Sequence, residues 1–149
     1  MKTLPAGNDA RASGPDLKSL RELAEGFAAA WSSQNAASVA AYYSPRGSRS
    51  ANGAAPYVGR NAIEVATQQF MAAFPDLQLT LDDVMVVGDY TEVHWTMTGA
   101  NSGPGGTGQR VSIKGIEEWR MGKDGLIAES KGHFSVANFR RQMANGAKT

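Results

Sequence analysis

The amino-acid sequence predicts an α+β domain in which a curved sheet is covered on one face by three helices. Up to Pro75, the apolar residues recur at intervals of three and four, which is typical of amphipathic helices. From Leu77 to Phe134 they alternate with polar residues, which is typical of strands. A short helical pattern then ends the folded part. Helices followed by a run of strands favour the α+β class, with an interior cavity between the sheet and the helices.

Composition limits the possible functions. A chain of 149 residues, 42% hydrophobic and 19% charged, fits one compact domain. The formal net charge is +1 and no basic block is present, so we expect no nucleic-acid partner. The absence of cysteine excludes disulfides, thiolate nucleophiles and Cys-ligated zinc. No apolar run reaches membrane-spanning length and no apolar signal core is present, so we expect no membrane partner and a cytoplasmic location.

The predicted domain covers residues 16–144. Residues 1–15 are rich in Gly, Pro, Asn, Asp and Ser, which indicates a flexible lead, and residues 145–149 are predicted to be a flexible tail.

Three helices are predicted before Pro75. Asp16 is the candidate N-cap of the first, which ends near Asn35. Ala36–Tyr43 forms a short second helix, and Asn61–Phe74 forms the third. The Gly/Ser/Ala-rich stretch Arg46–Tyr57 between them is predicted to be irregular. The apolar stripe of the first helix consists of Leu17, Leu20, Leu23, Ala24, Phe27, Ala28 and Trp31.

Four strands and a closing helix are predicted for the second half. Gly88-Asp89 forms a turn between the first two strands, and the Gly-rich segment Asn101–Gly108 forms a mobile connection after the second. Asp124-Gly125 joins the last two strands. The predicted strands are Leu77–Val87, Thr91–Gly99, Gln109–Met121 and Leu126–Phe134, and the helix is Ala137–Met143.

Five short motifs occur in a characteristic order along the second half. They are Phe74-Pro75-Asp76-Leu77, Gly88-Asp89, Trp95-Thr96-Met97-Thr98-Gly99, Thr107-Gly108-Gln109-Arg110-Val111 and Asp124-Gly125-Leu126-Ile127. Together they resemble the SnoaL-like polyketide cyclases of the nuclear-transport-factor-2-like (NTF2-like) superfamily, over roughly residues 17–143.

The resemblance implies a cone-shaped, curved mixed sheet with three N-terminal helices and a short C-terminal helix. It also implies a ligand pocket between sheet and helices, and a homodimer formed through the outer sheet face. The implied ligand is a small hydrophobic molecule, polyketide- or steroid-like, converted without a metal or an organic cofactor. The fold also hosts isomerases, epoxide hydrolases and non-catalytic binders, so it does not by itself define the chemistry.

The chain departs from the family at its catalytic aspartates. In the cyclases and the related epoxide hydrolases, the last strand tends to have the sequence Trp-x-Asp-x-x-Asp. By the resemblance, this chain has Gly132 and Ser135 at the two Asp positions. Trp95 and Met97 occupy the places of the hydrolases' Arg and Asp on the middle strand. Epoxide hydrolysis by that machinery is therefore not expected, and the usual acid/base is missing.

Glu117 is the candidate replacement. The resemblance and the alternation along the strands make it the one carboxylate among the predicted pocket-facing residues. An isolated carboxylate among apolar side chains has a raised pKa, which suits it to proton transfer. In this interpretation Ser130, Tyr42 or Tyr43 polarises a substrate carbonyl. The alternative is a structural ion pair of Glu117 with Arg110, Arg120 or a lysine.

Histidine is a weaker candidate for catalysis. His94 and His133 fall on the outward parity of their strands, and a one-residue register shift would be needed to bring His94 inward. Their spacing does not form a metal site. The aromatic and polar residues predicted to bind the ligand are Trp31, Tyr42, Trp95, Met97, Trp119, Ser130, Phe134 and Phe139.

Three functions remain open from the sequence. The first is a cyclase or isomerase that uses Glu117 as proton carrier. The second is a non-catalytic module that holds a small molecule in the same cavity, favoured by the loss of Asp at positions 132 and 135. The third is an oligomer-forming interaction domain whose interior is filled by side chains.

Overall fold

A computed structural model describes residues 16–147. Six strands form one curved, unclosed sheet in the order β2-β1-β6-β5-β4-β3. Strand β1 pairs with β6 in parallel and every other pair is antiparallel, so the sheet is mixed. The α+β prediction, with three helices before the long strands and one after them, is confirmed. The strands are β1 Tyr43–Ala51, β2 Tyr57–Val58, β3 Gln78–Val87, β4 Tyr90–Ala100, β5 Arg110–Met121 and β6 Ile127–His133.

Four helices accompany the sheet, and side-chain caps explain where three of them start. The carboxylate of Asp16 accepts the backbone N–H of Ser19 at 2.8 Å, as predicted for the first helix. Asn35 and Ser135 cap the second and fourth helices in the same way. The helices are α1 Leu17–Ser32, α2 Ala36–Ala40, α3 Arg60–Ala73 and α4 Val136–Asn145.

The core lies between the helices and one face of the sheet. Phe27 of α1 packs edge-to-face on Trp119 of β5, with ring centroids 5.1 Å apart. Phe27 also contacts Tyr43 at the start of β1, and Trp119 and Tyr43 are fully buried. The large aromatic residues of the first helix and of the sheet therefore share one apolar interior, from which the cavity described below opens.

The prediction of an irregular segment over Arg46–Tyr57 is wrong for residues 46–51 and for Tyr57, which begins β2, whereas residues 52–56 belong to neither a helix nor a strand. Residues up to Ala51 belong to β1, and the second helix ends at Ala40 because Tyr43 already pairs with Ile127 of β6. Ser, Gly and Pro have low strand propensity, so β1 is formed by its pairing with β6, far away in the sequence. Gly47 allows this approach, since a Cβ there would lie 2.8 Å from the carbonyl oxygen of Ile127.

The C-terminal helix is longer than predicted. Helix α4 runs to Asn145, two residues beyond the predicted Met143, and the N–H of Ala147 donates to the carbonyl of Arg110 at 2.7 Å. The predicted lead at residues 1–15 and the last two residues of the predicted tail lie outside the described residues. Between residues 16 and 147 no helix combines the length and apolarity needed to cross a membrane.

Candidate functional site

A cavity of about 430 Å³ opens between the sheet and the helices. Its volume falls in the range of small-molecule binding sites. The lining is mainly apolar and aromatic, and its two charged side chains are Arg49 of β1 and Glu117 of β5. The residues that line it are Trp31, Arg49, Ser50, Ala51, Tyr57, Ala66, Gln69, Phe70, Ala73, Leu77, Leu79, Trp95, Met97, Ile113, Glu117, Gly132, Phe134 and Phe139.

Glu117 faces this cavity although its residue surface is only 8% exposed. Its Oε1 accepts a hydrogen bond from the indole Nε1–H of Trp119 at 2.7 Å. Burial raises the pKa of Glu117, because a charged carboxylate loses its water shell there. The Trp119 hydrogen bond, the positive charge of Arg49 and the hydroxyl of Ser130 favour the charged form but do not cancel the rise in pKa.

A buried hydroxyl pair lies beside the carboxylate. The Tyr43 hydroxyl donates to the Ser130 hydroxyl oxygen at 3.1 Å, and both side chains are buried. Burial raises the pKa of Tyr43 strongly, and the nearby negative charge of Glu117 raises it further. The phenol therefore stays protonated at physiological pH and acts as a hydrogen-bond donor.

Arg49 is the functional candidate that the sequence analysis missed. Its guanidinium carbon lies 5.2 Å from the ring centroid of Trp31, a cation–π arrangement inside the cavity lining. It occurs in the segment predicted to be irregular, so no strand parity pointed to it. The two arginines proposed as partners of Glu117 are engaged elsewhere: Arg110 pairs with Asp76 at 3.0 Å, and Arg120 pairs with Glu129 at 3.6 Å.

Comparison with known proteins identifies the family. The model of the SnoaL-like domain matches residues 24–130, most of the chain. This is a SnoaL-like protein. No curated protein matches the chain in sequence.

Solved structures share the fold of this SnoaL-like protein. TsrD from Streptomyces laurentii superposes with a TM-score of 0.74 at 26% identity, over 87% of this chain and 97% of TsrD. A protein from Jannaschia sp. CCS1 assigned to the SnoaL-like polyketide cyclases gives a TM-score of 0.75 at 18% identity, over 88% and 98% of the two chains. A protein from Catenulispora acidiphila DSM 44928 with a ketosteroid isomerase-like fold, in complex with trimethylamine, gives 0.72 at 17% identity, over 82% and 92%. These likenesses confirm the NTF2-like fold.

Six of the ten predicted site residues of the SnoaL-like protein line the cavity. In the sheet, Glu117 pairs with Val93 of β4 and with Gly132 of β6. All three residues lie on the interior side of the sheet, as the alternation along the strands predicted. The same alternation predicted that Trp95, Met97 and Glu117 face one cavity. The six are Trp31, Trp95, Met97, Glu117, Phe134 and Phe139.

The other four predicted site residues do not line the cavity. Trp119 and Ser130 are buried next to Glu117 and interact with its carboxylate without lining the cavity. Tyr42 packs edge-to-face against Phe27, with ring centroids 5.9 Å apart. His94 carries the outward parity, and its Nε2 lies 2.8 Å from the Glu92 carboxylate.

Metal ligation has no candidate among the described residues. Across residues 16–147, no group of three or more His, Cys, Asp or Glu side chains comes together in a geometry that could hold an ion. His133, the second histidine, contacts Glu118 at 3.2 Å and carries the same outward parity as His94. As the charged side chains of the cavity lining, Glu117 can transfer a proton and Arg49 can stabilise a negative charge.

Proposed function

We propose that this SnoaL-like protein catalyses a cyclase or isomerase reaction on a small hydrophobic substrate with an enolisable carbonyl, and that Glu117 carries the proton. The observation that carries the proposal is a single buried carboxylate in an apolar cavity, with a pKa raised by burial. A raised pKa brings a carboxyl group closer to neutral pH, where one group serves as base and then as acid. The chemistry needs no organic cofactor.

The proposed reaction starts with ionised Glu117. The carboxylate takes a proton from the carbon next to the substrate carbonyl. The electron pair of the broken C–H bond forms a C=C bond, and the carbonyl π pair moves to oxygen as an enolate. In an isomerase reaction the substrate also carries a C=C bond next to the deprotonated carbon, so a dienolate forms. Glu117 returns the proton to the far carbon of the dienolate, the C=C bond moves into conjugation with the carbonyl, and the oxygen electron pair restores the C=O bond. In an aldol cyclisation, the enolate carbon bonds to a second carbonyl carbon of the same molecule, whose oxygen takes the proton.

The surroundings of Glu117 support this role. The Trp119 N–H fixes the carboxylate at 2.7 Å, which limits its rotation and directs the other oxygen. Trp95, Met97 and Phe134 give the cavity apolar walls, which lower the polarity around a bound substrate. The family membership and the cyclase assignment of the Jannaschia sp. CCS1 neighbour favour ring closure over other uses of the same step.

Hydrogen exchange from D₂O into an enolisable ketone such as 2-tetralone tests the proposal without the natural substrate. We expect the protein to accelerate exchange at the carbon next to the carbonyl, and Glu117→Gln to lower that rate by about 10²–10⁴-fold. Glu118→Gln is the matched control, since Glu118 is the next residue on β5 and contacts His133 on the outer face. A Glu117→Gln rate within about threefold of wild type contradicts the proton-carrier role.

The second candidate function is a non-catalytic binding module. It is favoured by Gly132 and Ser135, which stand where the family strand carries aspartates. In that case, polyketide-like aromatic compounds bind and change the fluorescence of the cavity residues Trp31 and Trp95, but no enolisable probe exchanges hydrogen. Binding without exchange over a panel of ketones would favour this module over the enzyme.

The homodimer and the cytoplasmic location remain predictions. The outward residues of the sheet include charged and polar side chains, such as the His94–Glu92 and His133–Glu118 pairs. Light scattering of the purified chain tests the dimer, and a mass of one chain, 15.8 kDa, would contradict it. Fractionation of the source cells tests the location.

A further inference from the structure

Arg49 is a cavity cation that the proton-transfer step described above does not use. Among the described residues its guanidinium forms neither a salt bridge nor a side-chain hydrogen bond, in contrast to Arg60, Arg110 and Arg141. Trp31 supports it from the ring face at 5.2 Å. The guanidinium N–H groups are therefore available to a ligand, and their fork geometry fits a planar oxyanion in a two-pronged contact.

The sheet register sets the position of Arg49 relative to Glu117. Arg49 pairs with Ser130 of β6, and the next inward residue of β6, Gly132, pairs with Glu117 of β5. Gly132 has no side chain, so no side chain of β6 fills the position between Ala51 and Glu117. A Cβ on Gly132 would have only ordinary contacts, 3.5 Å to the carbonyl oxygen of Ser50 and 3.8 Å to Cγ of Glu117. Arg49 and Glu117 therefore line the same cavity with open space at Gly132.

We propose that Arg49 binds a delocalised oxyanion of the ligand, so that the cavity selects planar aromatic molecules that carry a phenolate, enolate or carboxylate oxygen. The inference rests on the proposed function for the enolate, which is the oxyanion formed when Glu117 removes the proton. The apolar lining holds the ring system, with Trp31, Trp95 and Phe134 as its aromatic walls. The negative oxygen is directed to Arg49, the cation of the lining, and the reacting carbon to Glu117.

The charge balance of the cavity supports this selectivity. An oxyanion beside an ionised carboxylate would be repelled, but burial favours the neutral form of Glu117. With Glu117 protonated, the lining carries one positive charge, from Arg49. A low-dielectric wall strengthens the attraction between that charge and a bound anion compared with water. Proton abstraction leaves a negatively charged enolate beside a neutral, protonated Glu117. The positive charge of Arg49 stabilises this enolate.

Calorimetric titration of 2-naphthoate and 2-naphthamide tests the proposal on binding alone. The two probes are both planar and of similar size, and differ in charge. We expect the wild type to bind 2-naphthoate about 10- to 100-fold more tightly than 2-naphthamide, the range of one charge-assisted hydrogen-bonded contact. Arg49→Gln is expected to lose this preference, while Arg49→Lys keeps the charge and retains part of it. Arg46→Gln, an exposed residue of the same strand, is the matched control and keeps the wild-type preference.

The outcomes separate this inference from the proposed function. Glu117→Gln is expected to abolish hydrogen exchange but to show a preference for 2-naphthoate at least as large as that of wild type, because it removes only a negative charge from the cavity. If Glu117→Gln retains exchange but Arg49→Gln loses the preference, the proton carrier is wrong and the oxyanion site stands. Equal affinity of the wild type for both probes, or an unchanged preference in Arg49→Gln, overturns the oxyanion site. Circular dichroism shows which variants are folded. If Arg49→Gln does not fold, the control decides: a folded Arg46→Gln that loses the preference for 2-naphthoate also overturns the oxyanion site.

Discussion

Glu117 and Gly132 are register partners on neighbouring strands, and both face the cavity. The family resemblance places a catalytic Asp at the position of Gly132. In this chain the carboxylate is instead on β5, and Cγ of Glu117 lies 3.8 Å from where a Cβ of residue 132 would be. The carboxylate of Glu117 therefore lies next to the position at which the resemblance places the family's Asp.

Restoring the family residue should create a carboxylate pair. Gly132→Asp places a second carboxyl next to Glu117, and each raises the pKa of the other because both cannot be charged at short range. The folded state then binds more protons than the unfolded state, so its stability falls as pH rises. We expect Gly132→Asp to be less stable than Gly132→Asn by about 1–3 kcal/mol at pH 8, with little difference at pH 4. Urea unfolding at the two pH values measures this, and equal stability of the variants at pH 8 contradicts it.

Removing the charge of Glu117 should stabilise the protein at neutral and high pH. The raised pKa means that folding disfavours the carboxylate, so wild-type stability falls as pH rises from the ordinary pKa of a glutamate through the higher pKa of the folded state. Glu117→Gln keeps an acceptor for the Trp119 N–H but has no charge. We expect it to be more stable than wild type at pH 8 and to match it near pH 4. If the free energy of unfolding of Glu117→Gln changes in parallel with that of wild type from pH 4 to 8, this prediction is wrong. Glu118→Gln, on the outer face of the sheet, is the control.

The Tyr43–Ser130 hydrogen bond should stabilise the parallel strand pair. Tyr43→Phe removes the hydroxyl and leaves the buried Ser130 hydroxyl without that donor, at an expected cost of about 1–2 kcal/mol. Ser130→Ala should cost a similar amount. In the double variant the losses should not add, because the shared bond is lost only once. Denaturant unfolding of the four proteins gives the coupling energy, and strict additivity would show that the 3.1 Å contact contributes nothing.

Gly115 should tolerate no side chain without a change in the cavity. A Cβ there would lie 2.9 Å from the carbonyl oxygen of His133 and would overlap the ring of Trp95. We expect Gly115→Ala to lose about 1–3 kcal/mol and to displace Trp95 into the ligand space, seen as a shift in tryptophan emission. Gly132→Ala has only ordinary contacts and should leave both unchanged, so similar losses in the two variants would contradict the packing argument.

The sequence predicts most of the fold because its strongest signals are local. The apolar stripe from Leu20 to Trp31 and the alternation around Trp95 each report one element, and both elements form as expected. Strand β1 has no such signal: Pro45, Gly47 and its serines favour turns, and only the distant partner β6 makes the segment extended.

The difference between local and long-range signals also explains which site residues the sequence predicts. Glu117 follows from period-2 alternation on a regular strand, and six predicted residues reach the cavity. Arg49 could not be found, since its inward direction depends on a pairing that crosses the whole chain. A faint signal existed in the spacing of Tyr43, Arg49 and Ala51 at even intervals, but the bulge between Tyr43 and Ser48 interrupts it.

The insertion of β6 between β1 and β5 has a consequence for the order of folding. Residues 43–51 and 110–121 belong to separate ladders until residues 127–133 join them, so the cation and the acid of the cavity become neighbours only through the last strand of the chain. Such long loop closures are slow steps in folding. We expect amide protons of β1 and β6 to gain protection together in pulse-labelled refolding, after those of the β4–β5 hairpin. A nascent polypeptide that ends before β6 would therefore hold Arg49 and Glu117 apart and would be unable to bind its ligand.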